Sequence, residues 1–443
     1  MPTLTVEGRP LTWSEARTLA LASLGGALEY YDFIIFVFLA TVIGKLFFPP
    51  GLPDWLRQLQ TFGIFAAGYL ARPLGGIIMA HVGDLHGRKR MFTLSVFLMA
   101  IPTLLISLLP TYEAVGAAAP LLLLLMRVMQ GAAIGGEAPG GWVFVAEHAS
   151  QSRTGLAIGL LCSGLTGGVL LSALIATTLS LLATEDQIAH GYWRVPFLVG
   201  GIFGFAAMVL RRWLTETPVF KEMRTRFALS PEVPLRVVLR EHRLAVLVSV
   251  ASTWMLTAAI VVVILMTPSL LQTSFGLTPH ETLIANLGGT AALTLSAVMV
   301  GALTDRFGVT RTAIPMLLLL VGGTYALYLG AAHQPQALIP LYLLAGAGAG
   351  VVTVTPLLMV RAFPPAVRFS GISFSYNVAY AVFGGLTPLL VSWLVQFDRL
   401  APAHYTAGVA VVALLATLLA SRVHSPVRLP QSQEGLELGA LSD

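Results

Sequence analysis

The chain has 443 residues, of which 56% are hydrophobic and only 11% are charged, and its net charge is +5. Soluble domains carry roughly 25% charged residues, so this composition excludes an ordinary water-soluble domain. A helix that spans a bilayer needs about 20 mostly apolar residues, and such stretches recur along the whole chain. The alternating pattern of an outer-membrane barrel is missing from apolar segments such as 120–126 and 258–266. We therefore predict an all-α membrane protein.

Twelve apolar stretches follow one another, separated by short polar segments that contain Gly, Pro, Arg or Asp. Their ends are predicted only to within a few residues. The first stretch is too long and too rich in Tyr and Phe for a cleaved signal peptide, so we expect it to remain in the protein. The predicted spans are 19–44, 57–82, 91–110, 119–146, 154–182, 192–213, 244–272, 280–302, 312–331, 336–361, 369–396 and 403–422.

The distribution of Lys and Arg predicts the orientation, because these residues are retained on the cytoplasmic side of short loops. With both termini inside, the inner segments hold 20 of the 26 Lys and Arg residues, and the outer loops hold only Lys45, Arg57 and Arg399. We therefore predict that both termini are cytoplasmic. This bias also accounts for the positive net charge, so no nucleic-acid partner is expected.

An internal repeat divides the chain into two halves. Asp84 follows the second span and Asp305 follows the eighth, 221 positions later (305 minus 84), and both lie in Gly- and Arg-containing loops. Arg153 and Arg368 show a similar offset of 215 (368 minus 153). We predict an N-terminal segment (1–18), two six-helix halves (19–213 and 244–422), a polar cytoplasmic linker (214–243) and a cytoplasmic tail (423–443).

The two repeated loops are candidate gating elements. A glycine permits a tight turn between helices, and a carboxylate can face the N-terminus of another helix, so each loop could fasten two helices together. The alternative is that these residues only follow the positive-inside rule in a helical hairpin. The predicted gating residues are Gly83, Asp84, Gly87 and Arg88 in the first loop and Asp305, Arg306 and Gly308 in the second.

Five Asp, Glu or Arg residues lie deep inside predicted spans, away from the span ends, and all are in the first half: Glu29, Asp32, Arg72, Arg127 and Glu137. Charges in a bilayer are costly and usually mark function. A rise of 1.5 Å per residue places Glu29, Arg72 and Glu137 near one layer at the middle of the membrane. A carboxylate whose arginine is drawn to a substrate anion would take up a proton, which would couple the two. The alternative is a structural ion-pair network.

The second half offers polar and aromatic candidates instead. Trp254, Tyr376 and Asn377 lie inside predicted spans and could contact a substrate, although aromatic residues at helical spacing often serve only packing. No group of residues shows zinc-site spacing. We therefore expect no metal and no cofactor.

The duplicated loops resemble those of the major facilitator superfamily. The resemblance to this superfamily extends over essentially the whole chain. Segments 26–33 (GALEYYDF), 71–76 (ARPLGG), 127–131 (RVMQG) and 193–197 (WRVPF) are similar to its metabolite:proton symporter family. That family includes bacterial inner-membrane carriers of α-ketoglutarate, citrate, shikimate, dicarboxylates and proline or betaine. The first loop departs from the usual motif at Ala80 and Leu85, which implies a weaker latch.

The resemblance implies the major facilitator fold, with twelve transmembrane helices in two pseudo-symmetric halves. Sugar:proton symporters place an Asp in span one and an Arg in span four at similar positions, which implies that Asp32 and Arg127 form the proton-coupling pair, with Glu29 and Glu137 as helpers. The motif segments also add Tyr31 and Gln130 to the candidate substrate-binding residues. The full substrate-binding set is Arg72, Arg127, Tyr31, Gln130, Trp254, Tyr376 and Asn377.

We expect a monomeric, proton-coupled symporter that imports a small organic acid or related metabolite across a bacterial inner membrane by alternating access. Its partners would be the substrate, protons and the lipid bilayer. The alternative is efflux by proton antiport; drug antiporters share a Gly-Pro step in span five, where this chain has Gly164 followed by Leu165. Enzyme activity is not expected, because no Ser/His, Cys/His or metal-binding pair lies at membrane depth.

Overall fold

A computed structural model describes residues 13–86, 88–135, 137–149, 152–211, 234–364 and 367–420. Those residues form helices connected by short turns, with no β-strand among them. The long helices are α1 (Trp13–Phe38), α2 (Asp54–His86), α3 (Arg88–Leu108), α4 (Ala118–Ile134, resuming as Glu137–His148), α5 (Thr154–Leu182), α6 (Arg194–Arg211), α7 (Arg243–Phe275), α8 (Pro279–Phe307), α9 (Val309–His333), α10 (Leu338–Ala362), α11 (Arg368–Leu394) and α12 (Ala401–Ala420).

Eight of these helices, α4, α5 and α7–α12, are long and apolar enough to cross a membrane. The described part of α1 joins the short helix Ala40–Phe47 across a bend of 62°, and together they make a ninth candidate span. With α2, α3 and α6, the described residues contain twelve long helices in the predicted order. A further short helix, Pro234–Glu241, lies in the segment predicted as a linker.

Local sequence signals explain where several helices begin. Thr278 caps α8, since its hydroxyl accepts from the backbone N–H of Glu281 while the Glu281 carboxylate accepts from the N–H of Thr278. This reciprocal pair satisfies two backbone donors that would otherwise be free. Gly308 has a φ of +85° at the turn between α8 and α9, a conformation that favours glycine.

Two helix crossings, one in each half, rely on glycine. Gly131 of α4 lies directly against the Gly68 backbone of α2, and Gly346 of α10 lies in the same way against Gly289 of α8. Gly289 follows Gly68 by 221 positions (289 minus 68) and Gly346 follows Gly131 by 215 (346 minus 131). These are the two offsets of the sequence repeat, so equivalent helices cross in an equivalent manner. Between the halves, α5 packs along α8 and α2 packs along α11.

We predict that Gly131→Ala and Gly346→Ala destabilise the protein. The added methyl group would overlap the carbonyl oxygen of Gly68 or Gly289, so the helices would have to separate. Overpacking of this kind costs about 1–3 kcal/mol or more. The measurement is the thermal unfolding midpoint of the purified protein in detergent. Gly322→Ala is the matched control, because no atom lies within 4 Å of its added carbon; equal midpoints for all three variants would contradict the prediction.

Candidate functional site

Arg72 is the centre of a buried cage of aromatic rings. The residue is only 2% exposed. Its guanidinium carbon lies 4.6 Å from the ring centre of Tyr380, 5.3 Å from that of Tyr376 and 5.6 Å from that of Tyr69. The negative ring faces attract the cation. Its Nε and Nη2 atoms have no hydrogen-bond partner among the described residues.

The cage is built from both halves of the molecule. Tyr69 and Arg72 belong to α2, whereas Tyr376 and Tyr380 belong to α11. The Tyr30 hydroxyl of α1 lies 3.4 Å from that of Tyr376. Transporters of related architecture place substrates at the interface between their repeats, so this location suits a transported ligand.

The backbone of α11 changes its helical form at the cage. Residues Tyr380–Gly384 form a π-helical turn within an otherwise α-helical span. Such turns often occur at functional sites. Gly384 keeps this region close to α2, because an added carbon there would lie 3.3 Å from the Tyr69 ring.

Arg127 occupies a second buried site, closed within the first half. Its side chain is fully buried, and its Nη1 donates to the Phe33 carbonyl oxygen (3.0 Å) and to the Gln130 side-chain oxygen (2.8 Å). Gln130 in turn donates to the Thr103 hydroxyl (2.7 Å). The Phe33 and Phe36 rings lie 4.1 and 4.6 Å from the guanidinium carbon. The Nε and Nη2 of Arg127 have no partner among the described residues.

Asp32 is fully buried, and neither carboxylate oxygen has a hydrogen-bond partner in the described part of the chain. The side chain faces α6, where added carbons at Gly200 and Gly204 would lie 2.7 and 3.3 Å from its two oxygens. These glycines therefore make room for the carboxyl group. A charge buried without a partner is costly, so Asp32 is a candidate for carrying a proton.

Asp32 and Arg127, the predicted proton-coupling pair, form no ion pair with each other in this structure, although both side chains are described. Neighbouring residues on a helix project in different directions. The Asp32 side chain therefore faces α6, while the adjacent Phe33 ring and carbonyl face Arg127. The Phe33, Phe36 and Phe65 rings lie around the Arg127 guanidinium instead.

The remaining predicted substrate-binding residues lie in different places. The Tyr31 hydroxyl donates to the Pro196 carbonyl (2.8 Å), which fastens α1 to α6. Trp254 donates to the Tyr405 hydroxyl (2.7 Å) and stacks on Phe383, so it contributes to packing within the second half. Asn377 lies one residue after Tyr376 and donates to the Gly135 carbonyl (2.5 Å), which joins α11 to α4.

Some predicted residues fall outside the described structure. The side chains of Glu29 and Glu137 belong to this group, so their predicted place beside Arg72 stays a prediction. In the first gating loop, Gly87 and the side chains of Asp84 and Arg88 are also outside. The backbone of α2 continues through Gly83 and Asp84 to His86.

In the second gating loop, Asp305 bridges the two halves. Its two carboxylate oxygens accept from the backbone N–H groups of Gly155 (2.7 Å) and Leu156 (2.8 Å), in the first turn of α5. A carboxylate at a helix N-terminus is favourable because it meets free N–H donors and the positive end of the helix dipole. Arg306 is exposed and lies 5.2 Å from the Phe307 ring.

A polar cluster bridges the halves at the end opposite to Asp305. The distribution of Lys and Arg predicts this end to be the outer side, and we call the group the outer polar cluster. The Thr41 hydroxyl lies 3.1 Å from that of Ser269 and donates to the Gln272 side-chain oxygen (3.0 Å), and Gln58 donates to Ser269 (2.9 Å). Thr273 donates to the Gln58 oxygen (3.2 Å). A cavity of about 200 Å³ lies beside this cluster. The halves are therefore bonded to each other on both sides of the Arg72 cage.

Sequence reasoning missed Tyr69, Thr103, the two glycines of α6 and the outer polar cluster. Tyr69 had a usable signal, because it precedes Arg72 by three residues and so shares its helix face. The others had none, since neutral Thr, Ser, Gln and Gly residues are common in membrane helices.

Comparison with known proteins agrees with this architecture. A family model described as Major Facilitator Superfamily matches residues 22–285. A putative proline/betaine transporter of Staphylococcus aureus (strain MSSA476) is 31% identical over 411 residues, covering 90% of this chain and 86% of the relative. The proline/betaine transporter of Salmonella typhimurium is 28% identical over 420 residues, covering 90% of this chain and 82% of the relative.

Solved structures agree on the fold. The crystal structure of a D-xylose-proton symporter superposes with a TM-score of 0.70 at 16% identity, covering 93% of this chain and 98% of that one. At 16% identity, this structural similarity is evidence for the fold alone. It confirms the predicted architecture of twelve helices in two halves. The relatives are bacterial membrane transporters. The chain therefore belongs to the major facilitator superfamily, within its metabolite:proton symporter family.

Proposed function

We propose that this protein is a proton-coupled symporter that imports a small metabolite bearing a carboxylate, and that Arg72 binds that carboxylate. The observation that carries the proposal is the buried Arg72 guanidinium at the interface between the halves, two nitrogen atoms of which have no hydrogen-bond partner among the described residues. Guanidinium groups bind carboxylates through charge-assisted, often bidentate hydrogen bonds. A substrate carboxylate would supply the missing acceptors.

The aromatic rings around Arg72 help to define which class of substrate the site would bind. Tyr69, Tyr376 and Tyr380 surround a cation in this structure, and the same ring faces would attract a substituted ammonium group. The named substrates of the relatives, proline and betaine, combine a cationic nitrogen with a carboxylate. A zwitterion would use both the arginine and the rings, whereas a plain organic acid would use the arginine alone. Both remain within the proposal.

For the proton, we propose Asp32 as the carrier. Its carboxyl group is buried without a hydrogen-bond partner among the described residues and lies on α1, the helix whose Phe33 carbonyl accepts from Arg127. A small rotation of α1 or a change of the Arg127 side chain would alter the field at Asp32. Proton binding and substrate binding would then be coupled through the first half. During transport, the contacts between the halves at Asp305 and at the outer polar cluster would break alternately.

We predict that Arg72→Gln lowers the apparent affinity for substrate by roughly 10- to 150-fold, because a charge-assisted hydrogen bond contributes about 1.5–3 kcal/mol. Arg72→Lys should recover only part of this loss, since lysine keeps the charge but lacks the planar fork. The measurement is uptake of labelled betaine, proline, succinate, citrate and shikimate into proteoliposomes with an inward proton gradient.

The control for this experiment is Arg399→Gln, which removes an exposed arginine between α11 and α12. Unchanged uptake by Arg72→Gln would contradict the role of Arg72. If no compound accumulates but a preloaded hydrophobic cation is expelled when the gradient is applied, the symporter proposal is replaced by antiport.

Asp32→Asn should abolish accumulation driven by the proton gradient while substrate exchange across the membrane continues, because the amide cannot release a proton but leaves the binding site in place. Net uptake and counterflow are measured on the same proteoliposomes. Asp54→Asn is the control, since that carboxylate is exposed and paired with Arg57. Gradient-driven accumulation at the wild-type level in Asp32→Asn would rule out this assignment.

Asp305→Ala should loosen the contact between the halves. Loss of its two charge-assisted hydrogen bonds leaves the amides of Gly155 and Leu156 unprotected, so amide hydrogen exchange in the first turn of α5 should accelerate by about tenfold or more. Peptides covering this turn are followed by mass spectrometry. Glu241→Ala, which removes an exposed carboxylate, is the control; identical exchange in wild type and Asp305→Ala would refute a fastening role.

A further inference from the structure

A cavity of about 310 Å³ opens at one end of the second half, away from the Arg72 cage. Three elements form its walls: the turn between α8 and α9, the last turn of α10 and the last turn of α12. This end carries the Asp305 contact and is the side that the distribution of Lys and Arg predicts to be cytoplasmic. The volume lies within the range of about 300–1,000 Å³ that is usual for ligand pockets.

Two arginines line this cavity. Arg311 is exposed at the start of α9, and Arg361 is partly buried at the end of α10. Neither guanidinium has a hydrogen bond or an ion pair with another described residue. The carboxylate whose charge acts on Arg361 is Asp305, and both oxygens of that group already accept from the backbone of α5. The cavity therefore presents two positive charges that form no hydrogen bond or ion pair within the described part of the chain.

The rest of the lining is partly polar and partly apolar. Thr310 and Thr417 offer hydroxyl groups, while Leu358 and Phe307 offer apolar surface. Phe307 is 49% exposed, and Leu303, one turn earlier on the same helix, is also exposed. An apolar wall in a cavity that two arginines line suits an amphiphilic anion better than a small hydrophilic one, because an inorganic anion has nothing to place against Phe307.

We propose that this cavity binds the phosphate headgroup of an anionic phospholipid. The phosphate oxygens would accept from Arg311 and Arg361, and the glycerol and first methylene groups would pack on Phe307. Arginine suits phosphate because its planar fork matches two oxygens at once. Basic pockets between membrane helices on the cytoplasmic side are a recognised setting for anionic headgroups.

The position of the cavity gives lipid binding a structural consequence. Phe307 and Gly308 follow the bridging residue Asp305 by only two and three positions. A lipid held against Phe307 and Arg311 would therefore stabilise the turn that presents Asp305 to α5. Anionic lipid would favour the arrangement in which this end of the transporter is closed.

The test uses the full-length protein in a neutral maltoside detergent. Phosphatidylglycerol, phosphatidylcholine or inorganic phosphate is titrated in at constant ionic strength, and the thermal unfolding midpoint and the bound lipid seen by native mass spectrometry are recorded. We expect phosphatidylglycerol to raise the midpoint of the wild type. Arg311→Gln should require about tenfold more phosphatidylglycerol for the same shift, and the double variant with Arg361→Gln should lose the shift.

Arg243→Gln is the matched control, because it removes an exposed arginine near the same end of the second half but outside the cavity; its response should equal that of the wild type. Arg311 is exposed, so the Arg311→Gln variant should fold. This single variant therefore tests the proposal even if the double variant does not fold. If phosphatidylglycerol shifts the unfolding midpoint equally in the wild type and in Arg311→Gln, the lipid does not bind at this cavity and the proposal is wrong. An equal shift with inorganic phosphate would overturn the assignment to a lipid, and an equal shift with phosphatidylcholine would overturn the need for net negative charge.

Discussion

A charged side chain buried among apolar helices must find other groups to stabilise it, and the described part of the first half buries three such side chains. Arg72 and Arg127 lie against aromatic ring faces, and Arg127 also donates to a backbone carbonyl. Asp32 has neither kind of support in the described structure. The two cations are thus held in place while the acid is not, and a group whose charge is poorly supported is the one that a proton can most readily neutralise.

The two halves solve the same packing problem with different chemistry. Tyr342 follows Arg127 by 215 positions (342 minus 127), the offset between the glycines where α4 and α10 cross their neighbours. Arg127 donates to a carbonyl of α1, and the Tyr342 hydroxyl donates to the Val263 carbonyl of α7 (2.9 Å). The side chain thus serves an equivalent structural role in both halves. Of these two side chains, only the one in the first half is charged. This difference is consistent with the proposal that the first half binds the proton.

The Arg72 cage depends on both halves and so links their relative position to ligand binding. Its arginine and Tyr69 come from α2, while Tyr376 and Tyr380 come from α11. Any motion that separates α2 from α11 removes rings from the cation and exposes it to water. A ligand that bridges the arginine and the rings would oppose that separation, and this is the kind of differential stabilisation that alternating access requires.

The sequence alone determined the twelve spans, the division into two halves and the buried charges Asp32, Arg72 and Arg127, because apolar length, repeat spacing and the cost of charge in a membrane are local properties. It also predicted that a loop carboxylate would face a helix N-terminus, as Asp305 does. Only the tertiary structure decided which groups meet. Asp32 and Phe33 are adjacent in sequence, but their side chains face different helices, so Arg127 packs with rings and a carbonyl and not with the carboxyl group of Asp32. The tyrosine cage, the outer polar cluster and the arginine-lined cavity each combine residues far apart in the chain, and their contacts depend on how the helices cross.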